Sequence, residues 1–401
     1  MKVLVIIFED LVPLSGGGTP RISNIIKAFV KRGHRVYVAS SIGVGRESAL
    51  RELGCVDLLP LKGVSRLDRR KMLKYLYVHP LNILRVTNYA RKIKPDLVVS
   101  HNSIAGFAPL LAKGFIKNCL AVLDLTDLLF EYLENYSVWN SMKLVQILGK
   151  KLEAKVIVRS DRIITISNSM KDILLAYGIR PEKIEIVCDG VDTHIFRSTD
   201  GAELSDKYGS GAENIIIFQG VIDPQDHPEI IVDAARIVAK SHPKTIFWII
   251  GDGTALPGLK KMTFEYGLTN NFYFSGWVNQ EKVSQYISAS DIGLVILPDI
   301  LSARGRVTLK EFEYWSCGVP PVVPRLPGLE EVVEEEKTGL FYQPDNYKDL
   351  ADTIILLIKD EKMRRRMGKK GREIVKEKFE WEKLADRFAR ICERFQSGRN
   401  L

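Results

Sequence analysis

Two successive series of short β-rich runs, with helical periodicity between them, confine this chain to a narrow set of folds. The first series predicts strands at residues 3–8, 35–40, 96–100, 120–124, 162–166 and 184–188. Runs rich in Val, Ile and Leu suit strands buried on both faces, and helical crossovers between them require parallel pairing. A Gly-, Ser- and Asp-rich stretch, FRSTDGAELSDKYGSGAEN, then interrupts the series. Beyond it the alternation restarts with IIIF, TIFWII, FYFSG, DIGLVIL and PPVV. The pattern predicts an N-terminal α/β domain over residues 1–195 and a second over 196–378, each with a parallel sheet. A closing amphipathic helix from 379 to 401, with Trp381, Leu384, Phe388, Ile391 and Phe395 on one stripe, is expected to cross back to the first domain. At 401 residues, 46% of them hydrophobic, the chain can fill more than one core.

No apolar run approaches 18 residues, and the opening MKVLVIIF runs straight into a turn, so it reads as a first strand and the protein is expected to be cytoplasmic. The five cysteines, at 55, 119, 188, 317 and 392, are scattered and form no CxxC, which argues against a disulfide framework and a zinc site. Net charge is +9, and residues 1–190 hold 29 Lys and Arg against 17 Asp and Glu, so the basic excess is all N-terminal. Much of it lies in RLDRRKMLKYLYVHPLNILR, residues 66–85, where Leu67, Met72, Leu73, Leu76 and Tyr77 interleave with Arg69, Arg70, Lys71 and Lys74. That segment suits an anionic bilayer, or equally the solvated face of an ordinary helix. Nucleic acid is not expected, since no recognition motif accompanies the charge.

The stretch KEFEYWSCGVP, residues 310–320, carries the chemistry of the second domain. A helix over residues 307–316 would align Arg306, Lys310 and Glu313 at i, i+4 and i+7, two cations and one acceptor. Cations at a helix start suit a phosphate, and Glu313 one turn deeper can accept two hydroxyls of a ribose or sugar. Phe312, Tyr314 and Trp315 beside Glu313, with Gly318 closing the helix before PPVV, point to a packed helix rather than a solvated one. A carboxylate in such a place needs a partner.

In the first domain the glycine run ending in Gly17 and Gly18 leads to Thr19 as N-cap and Pro20 at the first helical position, an arrangement that favours an anion. A dinucleotide fold would want an acidic residue at the end of the second strand, but RVYVASS ends in serines. His101 after the third run, Asp124 at the end of the fourth and Asp127 just beyond it stand where strand ends present chemistry; Asp127 serves equally as the cap of the next helix. Gly251 in the GDG turn stands above the second sheet, where its backbone can approach a diphosphate.

Taken in order and spacing, GGGTPRISNIIKAFVKRGHRVYV, SDRIITISNSMKDILLAYGIRPEKIEIVCDGVDTHIF, IIGDG, FSGWV and KEFEYWSCGVPPVV resemble glycosyltransferase family 4, the group 1 glycosyl transferases, over nearly the whole chain. The resemblance implies the α/β architecture called GT-B, two Rossmann-like doubly wound parallel-sheet domains facing across a cleft. It implies that Glu313 binds donor ribose hydroxyls and that backbone near Trp277 and Val278 holds the base. GIRPEKIEIVCDGVD resembles the inter-domain connection.

This sequence departs from the family pattern at the phosphates and at the acceptor side. A first glutamate eight residues before the second is replaced by Gly305, and after the glycine turn at Gly220 the usual Arg and Lys are Val221 and Asp226. Arg304, Arg306 and Lys310 are therefore expected to take over phosphate binding. Thr126 and Asp127 match the place of a frequent His-Asp pair, with the histidine missing. Catalytic candidates are Asp127 and His101, and donor-side candidates are Gly17, Gly18, Gly220, Gly251, Trp277, Val278, Arg304, Arg306, Lys310 and Glu313.

The expected activity is transfer of a hexose-type sugar from a UDP- or GDP-linked donor to a glycan or lipid-linked acceptor, with retention and no metal or permanently bound cofactor. Inversion with Asp127 as base stays open. So do a nucleotide-sugar epimerase and a binding or scaffold protein without catalysis. The basic N-terminal half leads to an expected peripheral association with the anionic inner face of a membrane.

Overall fold

The computed structural model describes residues 1–11, 18–41, 53–63, 71–116, 118–132 and 143–398. They form two compact units: Met1–Cys188 with Trp381–Leu401, and Asp189–Glu380.

In the first unit the described elements run β1 (Lys2–Asp10), α1 (Gly18–Lys31), β2 (Arg35–Ser41), β3 (Asp57–Leu61), α2 (Lys71–Ile93), β4 (Leu97–His101), α3 (Asn102–Ala112), β5 (Leu120–Leu125), α4 (Leu129–Tyr132), α5 (Lys143–Arg159), β6 (Arg162–Thr165), α6 (Asn168–Ala176) and β7 (Ile184–Ile186). The sheet is parallel in the order β3-β2-β1-β4-β5-β6-β7. Val3 to Ile7 are fully buried, as helices on both faces of a doubly wound sheet demand. The strand order reverses beside β1, so the ends of β1 and β4 flank the crevice where such sheets place their chemistry.

The second unit runs α7 (Ala202–Tyr208), β8 (Asn214–Gln219), α8 (Glu229–Ser241), β9 (Thr245–Ile250), α9 (Leu256–Glu265), β10 (Phe272–Gly276), α10 (Gln280–Ser288), β11 (Ile292–Leu294), α11 (Leu301–Arg304), α12 (Lys310–Cys317), β12 (Pro321–Pro324), α13 (Pro327–Glu330), β13 (Leu340–Tyr342), α14 (Tyr347–Lys359) and α15 (Glu361–Lys378). Its sheet is parallel in the order β10-β9-β8-β11-β12-β13, with the reversal beside β8. Residues 189–195 belong here: the Val191 N–H donates to the Phe379 carbonyl at 2.9 Å, and Thr193 donates to Glu380 at 2.6 Å.

The chain then returns to the first unit as α16 (Trp381–Ser397), which packs along α1. Its apolar stripe buries Trp381, Leu384, Phe388 and Ile391. Arg32 fixes the register, donating to Glu393 at 2.8 Å and to Asp386 at 2.9 Å.

Two strands escaped the sequence reading. β3 contains Pro60, which argues against a central strand but is tolerated at an edge, where β3 lies. β13 has only three residues, too few to show a period. Helix α1 begins at Gly18, so Thr19 and Pro20 lie inside its first turn rather than at the cap and first position.

Arg21 ties the first unit together. The guanidinium is 1% exposed and grips Asp124, itself fully buried, through Nε at 2.9 Å and Nη2 at 2.8 Å, while Nη1 donates to the Val187 carbonyl at 3.0 Å. The Phe388 ring of α16 lies 5.7 Å from it. Arg21→Ala would leave Asp124 buried without its counter-ion, so a loss of about 3–5 kcal/mol is expected in chemical denaturation. A loss below about 1 kcal/mol would show that the pair does not hold the unit together.

Candidate functional site

Each unit carries a cluster of polar groups at the carboxyl ends of its sheet. In the second unit the cluster begins with the turns after β8, β9 and β10. Gly220 and Gly251 have φ of 122° and 140°, a region that side chains avoid. A Cβ on Gly251 would stand 1.9 Å from the Gly220 carbonyl oxygen, and one on Gly253 would stand 2.1 Å from that of Ile222. Glycine is therefore required for the turns to stack. The Gly220 N–H donates to the Ile250 carbonyl at 2.9 Å and that of Gly251 to Gly276 at 3.1 Å. In the GDG turn the Gly253 amide is held by Asp252 and the Thr254 amide by Asp223. Trp277, just past β10, is 60% exposed and Val278 half-buried.

Facing Gly220 is the first turn of α12. Thr308 and Glu311 brace the start of this helix: the Thr308 N–H donates to Glu311 Oε1 at 2.7 Å, the Thr308 hydroxyl also donates to Glu311, and the same hydroxyl oxygen accepts from the Lys310 N–H at 3.2 Å. The helix thus begins at Lys310, not at 307, and Arg306 lies before it. The expected single stripe of Arg306, Lys310 and Glu313 does not form; only Lys310 and Glu313 share a helical turn. Phe312, Tyr314 and Trp315 are fully buried, with Tyr314 donating to the Leu294 carbonyl at 3.0 Å and Trp315 to that of Thr338 at 2.7 Å. Gly318, at φ 84°, ends the helix.

Glu313 is buried and accepts a hydrogen bond from the Gln219 side-chain amide. Burial pushes its pKa up to about 8, although Lys310 and Gln219 favour the carboxylate. Burial also lowers the Lys310 pKa, against the pull of Asp226. A Cβ on Gly220 would stand 3.4 Å from Lys310 Cε, so the ammonium stem lies directly over that turn. The two arginines expected to join Lys310 have carboxylate partners: Arg304, exposed, donates to Asp299 at 2.6 Å, and Arg306 reaches Asp226 at 3.4 Å. Burial raises the Asp226 pKa against the charges of Arg306 and Lys310. Asp226, where the resemblance leads one to expect a lysine, thus has two cations beside it.

In the first unit the strands β4 and β5 pair with His101 opposite Asp124. His101 is buried, and its Nδ1 lies 2.8 Å from Asp124 Oδ2. A Cβ on Gly18 would stand 2.2 Å from His101 Nε2, so Gly18 serves close approach of α1 to the ring. Gly17 lies outside the described residues. Asp127 is half-buried beyond β5, its Oδ2 accepting from the Thr126 hydroxyl at 3.2 Å. The amides that open α4 are taken by Glu153 of α5, from Leu129 at 3.0 Å and Phe130 at 3.2 Å.

Sequence reasoning missed Arg21, Gln219 and Asn102. Arg21 had a signal: it sits one turn before Ile25 on the apolar face of α1, and a lone cation on such a face calls for a buried anion. Gln219 and Asn102 had none. Among the described residues no group of three His, Cys, Asp or Glu side chains is arranged to hold a metal ion, and no helix is long and apolar enough to cross a membrane.

Comparison with known proteins agrees with this architecture. Residues 15–195 match the model of Glycosyltransferase Family 4, and residues 201–374 match that of Glycosyl transferases group 1. The chain is similar to N-acetyl-alpha-D-glucosaminyl L-malate synthase of Bacillus anthracis, 29% identical over 53% of this chain and 54% of that protein. It is also similar to D-inositol 3-phosphate glycosyltransferase of Mycobacteroides abscessus, 28% identical over 50% of this chain and 45% of that protein. The chain thus spans about half the length of these curated relatives. Among solved structures, sucrose-phosphate synthase from Thermosynechococcus elongatus superposes with a TM-score of 0.83 at 18% identity, over 99% of this chain and 100% of that one. Anabaena HepE in complex with UDP-glucose gives 0.78 at 19%, over 98% and 100%. With two parallel-sheet units of the GT-B kind and family models matched across both, the chain belongs to glycosyltransferase family 4, the group 1 glycosyl transferases.

Proposed function

We propose that this chain transfers a hexose-type sugar from a UDP- or GDP-linked donor to a glycan or lipid-linked acceptor, with retention of anomeric configuration. One observation carries the reading: the carboxylate of Glu313, buried in the first turn of α12, has among the described residues only the Gln219 amide as hydrogen-bond partner, and Lys310 of the same turn lies over Gly220. In this role the Glu313 carboxylate exchanges Gln219 for two ribose hydroxyls, and Lys310 meets the diphosphate above Gly220 and Gly251. Arg304 and Arg306 trade Asp299 and Asp226 for phosphate oxygens. Backbone near Trp277 and Val278 receives the base. The UDP-glucose complex of HepE and the sugar transfers named for the relatives support a nucleotide-linked donor.

On the acceptor side we assign Asp127 and His101 of the first unit. In a retaining transfer the departing phosphate takes the acceptor proton as the acceptor oxygen bonds to the anomeric carbon on the same face, so Asp127 orients the acceptor rather than deprotonating it. An inverted product, read by the anomeric NMR coupling, would instead make Asp127 the base.

Calorimetry with UDP, GDP and their sugar conjugates tests the donor site. Binding by one nucleotide series that disappears in Glu313→Ala is expected. Interconversion of free nucleotide-sugars without acceptor would favour an epimerase, and binding without turnover would favour a non-catalytic protein. Two hydroxyls donate fully only to an ionised carboxylate, and Glu313 with a pKa of about 8 is mostly protonated at neutral pH. Donor affinity is therefore expected to rise as pH increases through 8, with proton release on binding near pH 7, and both effects should vanish in Glu313→Gln.

A lipid-linked acceptor and an anionic membrane surface remain part of this proposal. Residues 66–70 of the basic segment lie outside the described residues, but farther along α2 the side chains of Tyr77, Leu81 and Leu84 are exposed at i, i+4 and i+7. Aliphatic and aromatic groups next to cations suit a headgroup boundary. Sedimentation with phosphatidylglycerol vesicles at low salt, weakened in a Leu81→Glu, Leu84→Glu variant, is expected; absence of sedimentation would remove the membrane from the proposal.

A further inference from the structure

Beside the His101–Asp124 contact, the Asn102 side chain makes a second link between the ends of β4 and β5. Asn102 follows His101 directly and has φ of 59°, a left-handed conformation that asparagine tolerates better than most residues. Its Oδ1 meets the Thr126 N–H at 3.0 Å, the Thr126 hydroxyl at 3.2 Å and the Asp127 N–H at 3.2 Å. A backbone N–H only donates, so the atom it meets is the amide oxygen. That leaves the Asn102 NH2 on the other side, 3.3 Å from His101 Nε2. An NH2 likewise only donates, so Nε2 is the lone-pair nitrogen and the ring proton sits on Nδ1, donating to Asp124 at 2.8 Å.

The charged groups around the ring are Glu9 of β1, Arg21 of α1 and Asp124 of β5. Arg21 and Asp124 neutralise each other. Burial resists protonation of His101, but its hydrogen bond to Asp124 and the charges of Asp124 and Glu9 outweigh burial and Arg21 and raise its pKa above the ordinary histidine value.

We infer that Asn102 is a positioning residue, holding the Thr126–Asp127 turn and the neutral Nδ1–H form of His101 with one amide, so that protonating the ring and releasing Asp127 are a single coupled event. A proton on Nε2 faces an NH2, donor against donor. Rotating the amide satisfies the ring but turns its NH2 toward two backbone N–H groups, so the turn loses its anchor on either route. The working state is the neutral ring, and activity is lost as pH falls through the His101 pKa. The functional side of this inference rests on the acceptor-side role proposed for Asp127.

Nitrogen-15 NMR of the full chain tests the coupling without requiring turnover. The expected result is an Nδ1–H tautomer at alkaline pH, with the Thr126 and Asp127 amide resonances titrating at the same midpoint as the ring. Asn102→Asp, whose carboxylate accepts both from Nε2–H and from the two amides, should raise that midpoint by about one unit or more. Asn102→Gly, which accommodates the backbone, should stop the two amides from following the ring. In steady-state assays Asn102→Gly should lower kcat by about tenfold with donor KM unchanged. An Nε2–H tautomer, amides that do not follow the ring, or an unshifted midpoint in Asn102→Asp would overturn the inference. A wild-type protein that shows the coupled titration but transfers no sugar would instead overturn the proposed function alone.

Discussion

The Arg21–Asp124 pair is the constraint around which the first unit is arranged. Taking two charges out of water costs several kcal/mol each, and only near-complete hydrogen bonding offsets it. Both Asp124 oxygens are engaged, by Arg21 and by His101, and Arg21 spends a further donor on the Val187 carbonyl. One guanidinium thereby fixes the start of α1, the end of β5 and the segment after β7. Gly18 owes its lack of a side chain to the same arrangement, since the His101 ring that it abuts is held in place by Asp124.

The second unit solves a similar problem without a buried ion pair of that quality. Three glycine turns stack at the ends of β8, β9 and β10, and α12 is fixed beside them by buried aromatic rings. Tight packing of Tyr314 against Gly293 and of Trp315 against Gly371 leaves the helix little freedom to shift. A carboxylate carried there stays buried at an energetic cost, which is why its pKa rises. Energy of that kind is recovered when a ligand supplies the missing hydrogen bonds.

Much of this was legible in the sequence. Long apolar strands announced two parallel sheets because burial on both faces removes the polar alternation, and Gly318 followed by PPVV marked the end of α12. Glu313 could be singled out because a carboxylate among three aromatic residues has few inexpensive environments. The start of the same helix was misjudged by three residues because a side chain decides it: Glu311 takes the Thr308 amide just ahead of the first turn, against a longer helical pattern. Gln219 and Asn102 gave no signal, since the identity of their partners depends on strand order and register, which no local pattern encodes.

The return of α16 to the first unit also has a temporal side. Arg32 and Glu393 are partners across 361 positions, and every residue of the second unit is made between them. At translation rates of about 5–20 residues per second, the apolar face of α1 waits roughly 20–70 s for the helix that covers it. The second unit is contiguous and can close first. A nascent chain of this protein therefore carries an open hydrophobic seam behind an already folded domain, and chaperone occupancy during synthesis belongs on that seam.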